Sequence, residues 1–169
     1  GTVDVSGNSA GLMRLHAGGP INLPAGGILR ARGIELSSTG NSASGGTIKL
    51  VAGTSITHRG VIELSGGGGG GGGSLITKAG TSTLFEQSVD ATGGAYDGGA
   101  VDLRGGGGIT IARGIDVSST TGGGGRNISV RAGVDLAARP KVGGSLTVTA
   151  AFKAAGSSEK TSKKESHSK

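Results

Sequence analysis

The sequence predicts an all-β protein, a parallel β-helix of about five or six rungs, and three observations carry that prediction. A phrase of aliphatic, carboxylate, aliphatic and Ser or Thr (once Ala precedes the Thr), leading into a Gly-rich run, recurs five times. It reads VDVSG from Val3, IELSS from Ile34, IELSG from Ile62, VDATG from Val89 and IDVSS from Ile115. Its carboxylates, Asp4, Glu35, Glu63, Asp90 and Asp116, lie 31, 28, 27 and 26 residues apart, a period that marks units stacked on their neighbours. The 169 residues include 39 glycines, with 33% hydrophobic and 2% aromatic residues. Each glycine that replaces alanine inside an element costs about 0.5–1 kcal/mol. So few large side chains suit short strands that bury small aliphatics between like neighbours better than one round core. Disorder also follows from such composition, but the apolar alternation over residues 1–150 argues for folded strands.

The clearest unit, from Gly45, is GGTIKLVAGTSITHRGVIELSGGGG. It divides into three strands: TIKLV with Ile48 and Leu50 inward and Lys49 outward, SIT around Ile56, and VIELS with Ile62 and Leu64 inward and Glu63 outward. Period-two alternation is the signature of a half-buried strand, and glycine between strands permits the corners. Units from Gly72, Gly98 and Gly124 follow the same plan. Upstream, AGLMRLHAGG from Ala10 fills the first-strand slot, and ILRARGIELSS from Ile28 is expected to fill the second and third. PINLPAGG from Pro20 then reads as a small insertion, and GGSLTVTAAF from Gly143 as a repeat of the first strand in a degenerate last rung.

Stacking these units aligns like with like. The first-strand column holds Met13/Leu15, Ile48/Leu50, Leu75, Val101/Leu103, Ile128/Val130 and Leu146/Val148. The third-strand column holds Val3/Val5, Ile34/Leu36, Ile62/Leu64, Val89/Ala91, Ile115/Val117 and Val134/Leu136. The longest and most variable link follows each third strand, so variation is expected along one edge. Residues 1–154 form the solenoid in this reading, and the Lys/Ser-rich residues 155–169 a flexible basic tail.

The pattern GG-x-I-x-L-x-A-G-x-x-I-x-x-x-G-x-I-x-L-S, carried by Gly45–Gly69 and Gly98–Gly125, resembles the passenger regions of secreted bacterial β-helix proteins. Filamentous haemagglutinins and autotransporter adhesins look like this. The resemblance implies a right-handed, single-stranded parallel β-helix, export, and a role outside the cell or at the bacterial cell surface. With the chain opening at Gly1 on a strand phrase, it reads as a segment of a longer protein.

The chain carries a formal charge of +6. Residues 157–169 account for two of these charges, and the other four read as scattered over the body. With Phe85, Tyr96 and Phe152 as the only aromatics, this is not the clustered, aromatic-interleaved footprint of a nucleic-acid binder. No cysteine is present, which excludes disulfides and thiolate metal sites, and no stretch approaches the ~20 apolar residues of a membrane span.

The regular carboxylates, Asp4, Glu35, Glu63, Asp90 and Asp116, are expected to form a surface ladder. Like charges at strand spacing repel by about 1 kcal/mol in water, and Arg32, Arg59 and Arg113 stand three or four residues before Glu35, Glu63 and Asp116 to compensate. Calcium capture is the sharper use of such a ladder; no cofactor is otherwise expected. The repeat breaks at Phe85-Glu86-Gln87 and at Tyr96-Asp97, so Glu86, Tyr96, Asp97 and Asp102 are the candidate binding residues. Catalysis would need paired carboxylates about 5–9 Å apart, and Glu86 and Asp102 are expected on different faces. Gly7-Asn8-Ser9-Ala10-Gly11 matches G-x-S-x-G without the strand–turn–helix context, and the polyglycine run lacks the Lys-Ser/Thr of a phosphate loop. His16, His58 and His167 read as unrelated surface residues. The expected function is a non-catalytic structural or adhesive segment. Its partners would be surface polysaccharide or further copies of itself; polysaccharide cleavage and end-to-end filament stacking are the alternatives.

Overall fold

The computed structural model describes residues 1–7, 10–33, 43–120, 124–133, 146–148 and 152–153. In chain order the strands are β1 (Thr2–Asp4), β2 (Leu12–Ala17), β3 (Ile21–Leu23), β4 (Ile28–Arg30), β5 (Thr47–Ala52), β6 (Ile56–His58), β7 (Val61–Glu63) and β8 (Ser74–Ala79). They continue with β9 (Thr83–Phe85), β10 (Val89–Asp90), β11 (Ala100–Gly105), β12 (Ile109–Ile111), β13 (Ile115–Asp116), β14 (Ile128–Ala132), β15 (Leu146–Val148) and β16 (Phe152–Lys153). Every third strand joins the same sheet. The first sheet runs β14-β11-β8-β5-β2, the second β15-β12-β9-β6-β3, and the third β1-β4-β7-β10-β13-β16. All pairings between these strands are parallel. The chain therefore visits three faces in turn and climbs by one strand per circuit, a β-solenoid of about four turns. The sequence reading of five or six rungs counted the partial turns at both ends.

Inward side chains superimpose from turn to turn. In the first sheet Met13, Ile48, Leu75, Val101 and Ile128 stand in one file, with Leu15, Leu50, Thr77, Leu103 and Val130 in the next. In the third sheet Val3, Leu29, Ile62, Val89 and Ile115 are in register. Ile48, Leu50, Ile62, Leu75, Leu103 and Ile115 are buried, each contributing about 1.5–3 kcal/mol. Val3, in the end strand of its sheet, remains 48% exposed. The second-sheet file Ile56–Thr83–Ile109 and its neighbour His58–Phe85–Ile111 complete the core.

The strand pairing departs from the sequence expectation in two places. Ile21–Leu23 is no insertion but the second-sheet strand, paired Ile21 to Ile56 and Leu23 to His58. Pro24 ends it: its carbonyl accepts from Gly27 N–H at 2.9 Å, and Gly26 sits at φ 77° between them, the left-handed position a type II turn reserves for glycine. Ile28–Arg30 then occupies the third-sheet slot, so Leu29, not Ile34, stands over Val3. The step from Val3 to Leu29 equals that from Val89 to Ile115, and the extra residues of this turn fall between β4 and β5. Ile34, Glu35 and Leu36 lie outside the described residues. The second departure is Leu146–Val148, which pairs with Ile109–Ile111 in the second sheet and not the first. Phe152–Lys153 fills the third-sheet slot beside Ile115–Asp116; Val134, Leu136 and the tail fall outside the described residues.

One close approach explains why glycine recurs at the entry to the first sheet. Gly46, Gly73 and Gly99 stack so that a Cβ on Gly73 would land on the carbonyl oxygen of Gly46, and one on Gly99 on that of Gly73. Each of these glycines also donates to its own turn, Gly73 N–H to Leu64 O and Gly99 N–H to Ala91 O, both at 2.7 Å. Gly73→Ala should therefore cost about 2–3 kcal/mol by overpacking against backbone. Gly19→Ala, where a Cβ meets nothing within 4 Å, should stay within about 0.5 kcal/mol; urea unfolding compares the two. In the core, the Thr77 hydroxyl interrupts the leucine file with no hydrogen-bond partner among the described residues. Thr77→Val should stabilise by about 1 kcal/mol in the same assay.

Candidate functional site

The recurring carboxylate phrase has a local cause. Asp4, Asp90 and Asp116 each accept at Oδ1 from the backbone N–H two residues on, Ser6 at 2.8 Å, Thr92 at 3.0 Å and Ser118 at 2.9 Å. The hydroxyls of Thr92 and Ser118 add bonds of 2.8 and 2.6 Å to the same oxygens. An aspartate that ends a strand and caps the next two residues fixes the corner there. The side chain and N–H of Ser6, with Arg30 nearby, hold exposed Asp4 below the usual carboxylate range.

The ladder itself is corrected. Its register order is Asp4, Arg30, Glu63, Asp90 and Asp116, so a cation takes the rung expected for Glu35, which lies outside the described residues. Arg30 bonds Glu63 at 2.6 Å and lies 3.5 Å from Asp4, and its own pKa is raised, chiefly by the bond to Glu63. Arg32 adds a 3.7 Å contact to Glu63. Arg59 turns instead to Glu86 at 3.0 Å. Beyond Glu63 a groove of about 480 Å³ opens beside Ser88, Asp90, Thr92 and Asp116. Among the described residues no group of three His, Cys, Asp or Glu side chains could hold a metal ion.

The four candidate binding residues separate. Glu86 follows β9 on the second-sheet side and is held by Arg59. Asp102 projects from the first sheet, gripped by Arg104 at 2.6 and 2.9 Å, which raises the arginine pKa. Tyr96 and Asp97 alone come together. They line a corner pocket of about 450 Å³ with Ser44, Gly71, Gly72 and Arg126, residues drawn from the entry links of four successive turns. Asp97 lies 3.5 Å from Arg126 and accepts from Gly124 N–H at 3.2 Å, while its carbonyl accepts from Gly72 N–H at 3.0 Å. Ser44 Oγ accepts from Gly71 N–H at 3.3 Å. A Cβ on Gly71 would sit 3.2 Å from Asp97 O and 3.9 Å from Tyr96 Cβ, so glycine keeps the pocket floor open. Tyr96 is 62% exposed. A ring face beside a carboxylate, a guanidinium and a hydroxyl can stack on an apolar sugar face and hydrogen-bond its hydroxyls.

Sequence reasoning missed two features. His58 is buried, not superficial, with both ring nitrogens unpartnered among the described residues and its centroid 5.0 Å from that of Phe85. The body's surplus charge is not scattered either: Arg14, Lys49, Lys78, Arg104 and Arg131 all project from the first sheet. The outward positions of LMRLHA, TIKLVA, SLITKA, AVDLRG and ISVRA contained that signal. Among the described residues no helix is long and apolar enough to cross a membrane. Comparison with protein-family models, with curated proteins and with solved structures found no match. The fold is consistent with β-helix repeats in general.

Burial lowers the His58 pKa from 6.5 to about 4. The folded state favours the neutral ring, so stability holds above the unfolded value and falls as pH drops from 6.5 toward 4. The total loss is about 3 kcal/mol. Urea unfolding at stepwise pH should show this slope, and His58→Leu should remove it. Any loss from Asp4 belongs to the lower window below its ordinary 3.8.

Proposed function

We infer that this chain is a non-catalytic structural segment of an exported or cell-surface bacterial protein, serving as a rigid spacer or adhesive stalk. The observation that carries this reading is the repetition of one three-strand register in turn after turn, with ionisable groups engaged between turns. Arg30 bridges Asp4 and Glu63, Arg59 holds Glu86, and Arg126 holds Asp97. Rungs that bond mainly to the next rung build length and stiffness. The candidate acids Glu86, Asp97 and Asp102 are each tied to a separate arginine, Arg59, Arg126 and Arg104, a poor basis for the carboxylate pair that glycoside chemistry requires. The motif resemblance supports export and surface location.

A second reading, glycan binding at the corner, is favoured by the Tyr96–Asp97–Arg126 pocket. It is compatible with the first, since an adhesive stalk needs a contact.

Incubation with neutral and acidic polysaccharides should yield no new reducing ends and no unsaturated products. Turnover abolished by Glu86→Gln or Asp97→Asn would refute the structural reading. Where a glycan array gives a neutral ligand, Tyr96→Ala should weaken it about tenfold, the worth of one stacked ring; unchanged binding would remove the corner from consideration.

A further inference from the structure

The register that fixes the first-sheet core also fixes what faces outward. Two files result: Arg14, Lys49, Ile76, Asp102 and Ser129, and beside it His16, Val51, Lys78, Arg104 and Arg131. Five arginines and lysines share this face with one carboxylate, a surplus of four. The chain carries +6, of which residues 157–169 supply two through Lys160, Lys163, Lys164 and Lys169 against Glu159 and Glu165. The surplus of the body is thus also four, and the rest of the body sums to neutral.

Asp102 is committed to Arg104. Arg14, Lys49, Lys78 and Arg131 make no ion pair among the described residues. Lys78, Arg104 and Arg131 stand in register on successive turns, about 4.8 Å apart. Like charges at that pitch concentrate positive potential along a line. Across the lower turns Arg14, His16, Lys49, Val51 and Lys78 line a shallow groove of about 290 Å³. The adjoining outward positions Thr47 and Ser74 place hydroxyls beside it.

We propose that this face binds a linear acidic polysaccharide, carrying carboxylate or sulfate groups, laid along the solenoid axis. A chain of regularly spaced anions matches a file of cations repeated once per turn, and the flanking hydroxyls suit sugar hydroxyls. Nucleic acid fits less well, because bases bind by stacking on aromatic rings. Tyr96 lies in the corner pocket and Phe85 in the core, so neither lines the groove. The proposal goes beyond the structural reading and uses a different face from the Tyr96 pocket, so the two are separable.

The test is titration of the full chain with polygalacturonate and with dextran sulfate, using neutral dextran and oligo-dT as comparisons. Both acidic polymers should bind and neutral dextran should not, with affinity falling at least about tenfold between about 50 and 200 mM salt. Lys78→Glu, or Lys49→Glu in the other file, should weaken binding about fivefold or more. Arg113→Glu, which changes net charge equally but lies off this face, should stay within about twofold. Tyr96→Ala should bind as wild type, and circular dichroism should show all variants folded. The proposal is overturned by no binding of either acidic polymer, or by tighter binding of oligo-dT than of both. Equal losses in Lys78→Glu and Arg113→Glu, or a loss confined to Tyr96→Ala, also overturn it.

Discussion

Parallel stacking makes every residue the neighbour of its own counterpart one turn away, and the rest of the molecule follows from that constraint. Ile48 must accept Met13 below and Leu75 above, so a file tolerates only side chains that pack against something like themselves. The backbone obeys the same rule at Gly46, Gly73 and Gly99, where successive turns approach too closely for a Cβ. A chain with 2% aromatics folds under this regime because small aliphatics, repeated in register, exclude water as completely as a few large rings do. Polar intruders such as Thr77 and His58 are bearable because the files on either side remain intact.

On the outer surface the constraint turns electrostatic. A repeated carboxylate would meet itself at every turn. The third sheet escapes by substituting Arg30 into the file and by giving Asp90 and Asp116 hydrogen bonds within their own corners. The first sheet does not escape: Lys78, Arg104 and Arg131 stand together with only Asp102, among the described residues, as local relief. The same geometry thus gives one face whose carboxylates are bonded by Arg30 or within their own corners and one with a surplus of cations.

Legibility in the sequence tracks how local the signal is. The strands of TIKLVA, SLITKA and AVDLRG, with their inward residues, were readable because alternation at period two needs no knowledge of partners. The phrase ILRARGIELSS misled because both Leu29 and Ile34 begin plausible third strands. Only the pairing of Leu29 with Val3, and of Ile21 with Ile56, decides between them. Leu146–Val148 was misplaced for the same reason, since an aliphatic–Thr–aliphatic triplet suits any of the three sheets. Tyr96 and Asp97 announced themselves by breaking the repeat. Arg126 and Ser44, their pocket partners, are separated from them by one and two turns, and no spacing rule brings them together. The burial of His58 was invisible because a histidine two positions after Ile56 reads as inward or as corner with equal ease.

The links after β1, β4, β7 and β10 are closed by one recurring bond. Val5 O accepts from Gly11 N–H, Ala31 O from Gly46 N–H, Leu64 O from Gly73 N–H and Ala91 O from Gly99 N–H. The enclosed spans differ widely in length, yet the clasp is the same. Doubling such a span costs only about 0.6 kcal/mol in closure entropy. The molecule therefore behaves like a mast with standard brackets. A guest peptide inserted within the Leu64–Gly73 span, with the bonds of Gly66, Gly67 and Gly72 to neighbouring turns retained, inherits anchored ends and a set height above the next bracket.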